Sequence, residues 1–167
     1  KPGDQGTNVI SLHVDSNDAY VCMTTENDAD KENTLVDPEV TAGDVTPGVP
    51  VGTNGGELSN YLNVVVWNDD NDSLKENGEE VLYQGLLRDL NMETLTLPTT
   101  ATDYLGIAWC AGTQPVVSDA SVGPVSCDGT GNQNVAQTDS YVSDVVFTAV
   151  QQRNNGDFFC PGTGEEQ

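Results

Sequence analysis

The densest run of potential ligands in this chain is Asn68-Asp69-Asp70-Asn71-Asp72-Ser73-Leu74-Lys75-Glu76-Asn77-Gly78-Glu79-Glu80. Calcium is a hard cation that takes about six to eight oxygen atoms from flexible loops. Asp69, Asp70 and Asp72, a carbonyl near Leu74, and Glu79 or Glu80 closing the shell could supply them. The run is not an EF-hand loop, because the central glycine is missing and the acids are out of phase. A solvated acidic turn is the competing reading. Asn71-Asp72-Ser73 also fits the N-glycosylation acceptor pattern.

Catalytic chemistry has less to stand on. Carboxylates that could pair as in glycoside hydrolysis abound, but no pair is marked out from the rest. His13 is the only histidine; it falls in the middle of a strand, beside no nucleophile. HExxH, GxSxG and phosphate-loop motifs are absent. Trp67 and Trp109 each end a strand, and are expected to plug the core rather than to stack on sugars. The chain is therefore expected not to be an enzyme and to require no cofactor, calcium being the one it could hold.

Cys22, Cys110, Cys127 and Cys160 are the only cysteines. Without a CxxC, and with one histidine, neither a zinc site nor a redox pair is favoured. Two structural disulfides made in an oxidising, extracellular compartment fit better. Three pairings are open. Joining Cys110 to Cys127 would close a short loop and contribute about 3 kcal/mol. Joining Cys22 to Cys160 would tie the first strands to the last and contribute somewhat more.

The 27 acidic residues face only 5 basic ones, a formal charge of −22. Such a field repels nucleic acid and anionic membrane surfaces. It attracts divalent cations, and salt or calcium should relieve its self-repulsion. No apolar run is long enough to span a membrane. At 167 residues the chain reads as one domain, 1–167, able to bury about two-thirds of its unfolded surface.

The elements that must position these groups read as strands. Thr7 to Val14 and Ala19 to Thr25 alternate and are expected to form a hairpin across Asp15-Ser16-Asn17-Asp18. A long irregular stretch, 26–57, follows. Leu58 to Trp67 is a central strand, since Val64-Val65-Val66-Trp67 is apolar on both faces. Val81, Leu82, Leu86 and Leu90 suggest one short helix between Glu79 and Asn91, weakened by Gly85. Met92 to Leu97, Asp103 to Cys110 and Ser140 to Gln151 complete the strands. Residues 162–167 are expected to fray. Seven or eight strands with long loops and at most one short helix predict an all-β jelly-roll or Greek-key sandwich.

Several short stretches, in order, carry a family likeness. They are Lys1-Pro2-Gly3-Asp4-Gln5-Gly6, Ser11-Leu12-His13-Val14, Tyr20-Val21-Cys22-Met23 and Gly56-Glu57-Leu58-Ser59. Val66-Trp67-Asn68-Asp69-Asp70, Gly106-Ile107-Ala108-Trp109-Cys110, Cys127-Asp128-Gly129, Gln137-Thr138-Asp139 and Gln152-Arg153-Asn154-Asn155 through Phe159-Cys160 continue it. Together the chain resembles the TasA/camelysin-like biofilm fibre proteins of bacteria and archaea. That resemblance implies a secreted jelly-roll subunit of an extracellular fibre or pilus. Identical subunits would join head-to-tail in a helical filament, a strand donated by one completing the sheet of the next. Two departures stand out. No leader and no first strand are visible ahead of Lys1-Pro2-Gly3-Asp4, and the loop at 27–38 lacks a cysteine. The metalloprotease label attached to camelysins is not carried over.

The reading is thus a non-catalytic fibre subunit, without nucleic acid or membrane span. Residues 1–14, with Val9, Ile10, Leu12 and Val14, are expected nearest the subunit junction. The alternative is a monomeric, secreted calcium- or glycan-binding β-sandwich.

Overall fold

The computed structural model describes residues 1–44, 55–92, 94–131 and 133–160. Among the described residues there are seven strands: β1 (Gln5–His13), β2 (Ala19–Lys31), β3 (Leu62–Asp69), β4 (Val81–Leu86), β5 (Leu95–Leu97), β6 (Thr102–Ala111) and β7 (Ser140–Gln151). One α-helix, α1 (Asp37–Ala42), follows β2. Single 3-10 turns lie at Leu58–Asn60, Leu87–Asp89 and Asn134–Ala136. One sheet has the order β1-β6-β3-β4 and the other β5-β2-β7. Every pairing is antiparallel, so the chain is an all-β sandwich, as its alternating patterns predict.

The main core lies between the sheets. Val21 and Met23 of β2 meet Val64 and Val66 of β3, Leu82 of β4, Leu97 of β5 and Leu105 of β6. Each such side chain contributes about 1.5–3 kcal/mol on burial. The opposite face of β3 is covered too. Val65 and Trp67 pack with Ala108 against Val117 and Val125 from the loop after β6. This outer layer is why Val64-Val65-Val66-Trp67 has no polar side.

Four local expectations are corrected. β1 and β2 do not form a hairpin: β1 pairs with β6, from Gln5 opposite Cys110 to His13 opposite Thr102, while β2 pairs with β5 and β7 in the other sheet. Residues 14–18 therefore cross between layers. The segment expected to be helical is β4 followed by a 3-10 turn, because pairing with β3 satisfies its backbone and Leu82 then points into the core. The stretch expected to be irregular from 26 begins as six further residues of β2 and includes α1. Of the strand expected at Met92 to Leu97, only Leu95–Leu97 is regular. The expected fraying at 162–167, and part of the 26–57 stretch, lie outside the described residues.

β7 is an edge strand. Its register against β2 runs from Ala19 opposite Gln151 to Lys31 opposite Ser140, with a bulge between Glu26 and Ala29. Both of its faces carry exposed apolar residues: Val142 on one, and Val145 and Phe147 on the other.

Candidate functional site

Both disulfides are formed among the four cysteines: Cys22 with Cys160, and Cys110 with Cys127. The first fastens the segment after β7 onto β2. The second fastens the loop after β6 to the end of that strand, where Thr113 and Asp128 exchange backbone hydrogen bonds. Two disulfides fit a secreted or otherwise oxidising environment. Among the described residues, no helix is long and apolar enough to cross a membrane.

The loop between β3 and β4 brings carboxylate oxygens of Asp69, Asp70 and Asp72 within 4.8 Å of one another. A second group shares Asp70 and adds Glu76 and Glu79. Glu80 belongs to neither; its side chain accepts a hydrogen bond from Asn68 Nδ2 at 3.5 Å. Glu76 was not among the residues singled out from the sequence. Most of these oxygens shape the loop itself. Asp69 accepts from the Ser73 N–H, Asp72 Oδ1 from the Leu74 N–H at 2.8 Å, and Glu79 from the N–H groups of Asp70 and Glu76. Lys75 is buried at the centre of the loop, donating from Nζ to the carbonyls of Glu76 (2.6 Å) and Asp119 (3.2 Å). Repulsion from Asp72 and then Asp70 raises the pKa of Glu76.

A second acidic cluster has no local sequence signature. It draws Asp30 and Glu32 from the end of β2, Glu39 and Asp44 from α1 and its C-terminal turn, Glu57, and Asp139 just before β7. Glu32 is 3% exposed and Glu39 is fully buried. Oxygens of Glu32, Glu57 and Asp139 lie within 4.8 Å of one another. Glu39 is a scaffold: Oε2 accepts the Val36 N–H at 2.6 Å, and Oε1 accepts both the N–H (2.8 Å) and the hydroxyl (2.9 Å) of Thr138. One oxygen of Asp139 takes the Glu57 N–H at 2.6 Å, and one of Asp30 takes the Ser59 N–H at 2.8 Å. Their other oxygens, Glu57 Oε2 and both oxygens of Glu32 are buried with no hydrogen-bond donor.

The local chain is built for this convergence. Gly43 ends α1 at φ 102°, in the left-handed region, and the Asp44 N–H closes back on the Glu39 carbonyl at 2.9 Å. Gly56 lies against β2 so closely that a Cβ there would sit 2.9 Å from Asp30 Oδ1 and 2.8 Å from the Lys31 carbonyl carbon. Asn33 Nδ2 donates to the Thr138 carbonyl at 2.9 Å, and the Thr138 hydroxyl also donates to the Thr34 carbonyl. Burial, reinforced by the neighbouring acids, pushes Glu32 up to about 7. Burial, and then Asp44 and Asp139, do the same for Glu57. Burial also raises Asp139, against the lowering effect of the Glu57 N–H.

Of the residues expected nearest a subunit junction, Leu12 and Val14 pack against the main core, and Val9 and Ile10 are half-buried on the edge strand β1. Trp67 is buried as expected, whereas Trp109 is 41% exposed. Trp109 lies instead over Gly6 of β1, where no side chain separates the strands. His13 is exposed, with Nε2 2.8 Å from Asp15 Oδ1 and Nδ1 2.9 Å from the Ala101 carbonyl. Compared with protein-family models, curated proteins and solved structures, the chain gives no match to any of them.

Proposed function

We propose that this chain is a structural subunit of an extracellular fibre, joined to its neighbours by strand addition. The observation that carries the reading is the outer edge of β7. Eleven of the twelve residues of β7 pair with β2, on one side only, and Val142, Val145 and Phe147 stand exposed along the strand. A long apolar edge of this kind is what soluble monomers usually shield with charge, proline or a covering segment. An extended segment from another copy would satisfy its backbone groups and cover these side chains. β1 is a further edge in the opposite sheet, where Val9, Ile10, Leu12 and Val14 would lie nearest the junction. Head-to-tail addition of this type does not close and grows a helical filament.

Electron microscopy of the purified protein across salt and calcium concentrations tests the reading. Filaments from the native protein, and none from a Val145→Lys, Phe147→Lys variant, are expected. Native protein that stays monomeric under every condition overturns it. The alternative, a monomeric calcium-binding module working through the 68–80 loop, rests on the proximity of Asp69, Asp70 and Asp72. Saturable calcium binding without polymerisation, lost in Asp70→Ala, Asp72→Ala, would favour it.

A further inference from the structure

At the end of β2, buried carboxylates meet with several of their oxygens lacking a hydrogen-bond donor. A carboxylate taken out of water needs donors or a cation, or it gives up its charge. Glu32 has no donor at either oxygen, and the groups around it are other acids: Asp139, Glu39 and Asp44. Among the described residues no lysine, arginine or histidine forms an ion pair with Asp30, Glu32, Glu39, Glu57 or Asp139.

We infer that Glu32, Glu57 and Asp139, with Asp30 beside them, form a buried calcium site separate from the exposed 68–80 loop. The spacing fits. Oxygens bound at about 2.4 Å around one calcium ion lie no more than about 4.8 Å apart, and the oxygens of these three residues fall within 4.8 Å of one another. The oxygens of these three left without a donor are both of Glu32, Oε2 of Glu57 and Oδ1 of Asp139; Asp30, whose Oδ1 is also without a donor, lies outside the group of three. The partner oxygens of Asp139 and Asp30 are held by the Glu57 and Ser59 N–H groups, which fixes the direction of each carboxylate. Glu39 is excluded as a ligand because Val36 and Thr138 occupy its oxygens. With no histidine or cysteine present, the donor set is all oxygen and selects a hard cation. Calcium suits a shell of mixed carboxylates better than magnesium, which demands a near-octahedral arrangement and keeps several waters.

The site would also do structural work. Its ligands come from β2, from the segment after residue 55 and from the lead-in to β7. A bound ion would add to the hydrogen bonds that already tie Glu57 to Asp139 and Ser59 to Asp30.

Calorimetric titration of calcium into EDTA-stripped, desalted protein at pH 7 and moderate salt tests the inference. One site of about 10 µM affinity or tighter is expected. It should weaken at least tenfold in Glu32→Gln, Asp139→Asn, and persist in Asp70→Asn, Asp72→Asn. Calcium should raise the Tm of the native protein and of the loop variant, but not of the Glu32→Gln, Asp139→Asn variant. Near-UV circular dichroism in EDTA checks that this variant folds; Glu57→Gln, with the same expected loss, serves if it does not. Native protein without saturable binding overturns the site, as a nest neutralised by protons alone would give. Binding that survives in the Glu32 and Asp139 variant but is lost in the loop variant overturns it equally, as does magnesium binding as tightly as calcium.

Discussion

Two acidic regions of this molecule look alike by composition and differ in physics. In the loop between β3 and β4, Asp69, Asp72 and Glu79 are tied to backbone N–H groups, and Lys75 sits buried among them. At the end of β2 the acids are fewer per residue of chain, yet Glu32 is buried with neither oxygen satisfied. The density of carboxylates along a sequence is therefore a poor guide to an ion site. A carboxylate that shapes its own loop already has its donors. One that is desolvated without them is under electrostatic load, and something must relieve it.

The largest effect is expected at Glu39. Replacing it with alanine leaves the N–H groups of Val36 and Thr138 without an acceptor in a part-buried setting, the Thr138 hydroxyl keeping the Thr34 carbonyl, at a cost of about 2 kcal/mol or more. Urea denaturation should show that loss; a change under about 1 kcal/mol would mean that water reaches the cluster.

The next effect is pH dependence in EDTA. Glu32 and Glu57 have folded values of about 7 against an ordinary 4.5. The folded state therefore holds more protons than the unfolded state across that interval. Stability contributed by protonated Glu32 and Glu57 is present at acid pH and lost as pH rises from about 4.5 to about 7. Denaturation midpoints should fall over that range and flatten in Glu32→Gln, Glu57→Gln. Glu76 is exposed, so its raised value should add little to the slope. The smallest effect belongs to the loop: Asp70→Asn should change stability by less than about 0.5 kcal/mol, measured by the same denaturation. A larger shift would show that the two regions are energetically alike.

Much of the fold was legible in the residues. Alternation in β7, the apolar run of β3 and the Gly106-Ile107-Ala108-Trp109-Cys110 stretch of β6 gave strands where strands stand. The Cys22–Cys160 and Cys110–Cys127 bonds were among the open pairings. The helix expected at 79–91 failed because spacing of a few leucines cannot say which partner will satisfy the backbone; β3 did so in this case. The β1–β2 hairpin failed because adjacency in sequence was taken for adjacency in a sheet. The buried acid cluster could not be read from spacing at all, since its members span Asp30 to Asp139. Two hints were present. Gly56-Glu57-Leu58-Ser59 and Gln137-Thr138-Asp139 both stood out as motifs, and each brings a carboxylate to the cluster together with donors that hold other carboxylates of it.

The Cys22–Cys160 bond has a mechanical consequence. Under tension applied to the two ends of this sequence, force entering along the backbone passes through that bond and bypasses everything between residues 22 and 160. Only the residues outside the loop, on the order of thirty, can pay out, so extension is limited to roughly 100 Å. Without the bond everything outside the Cys110–Cys127 loop could unravel, to roughly 500 Å. The sandwich apart from β1 and the first residues of β2, its buried acids included, is thus shielded from stretching by a single covalent link.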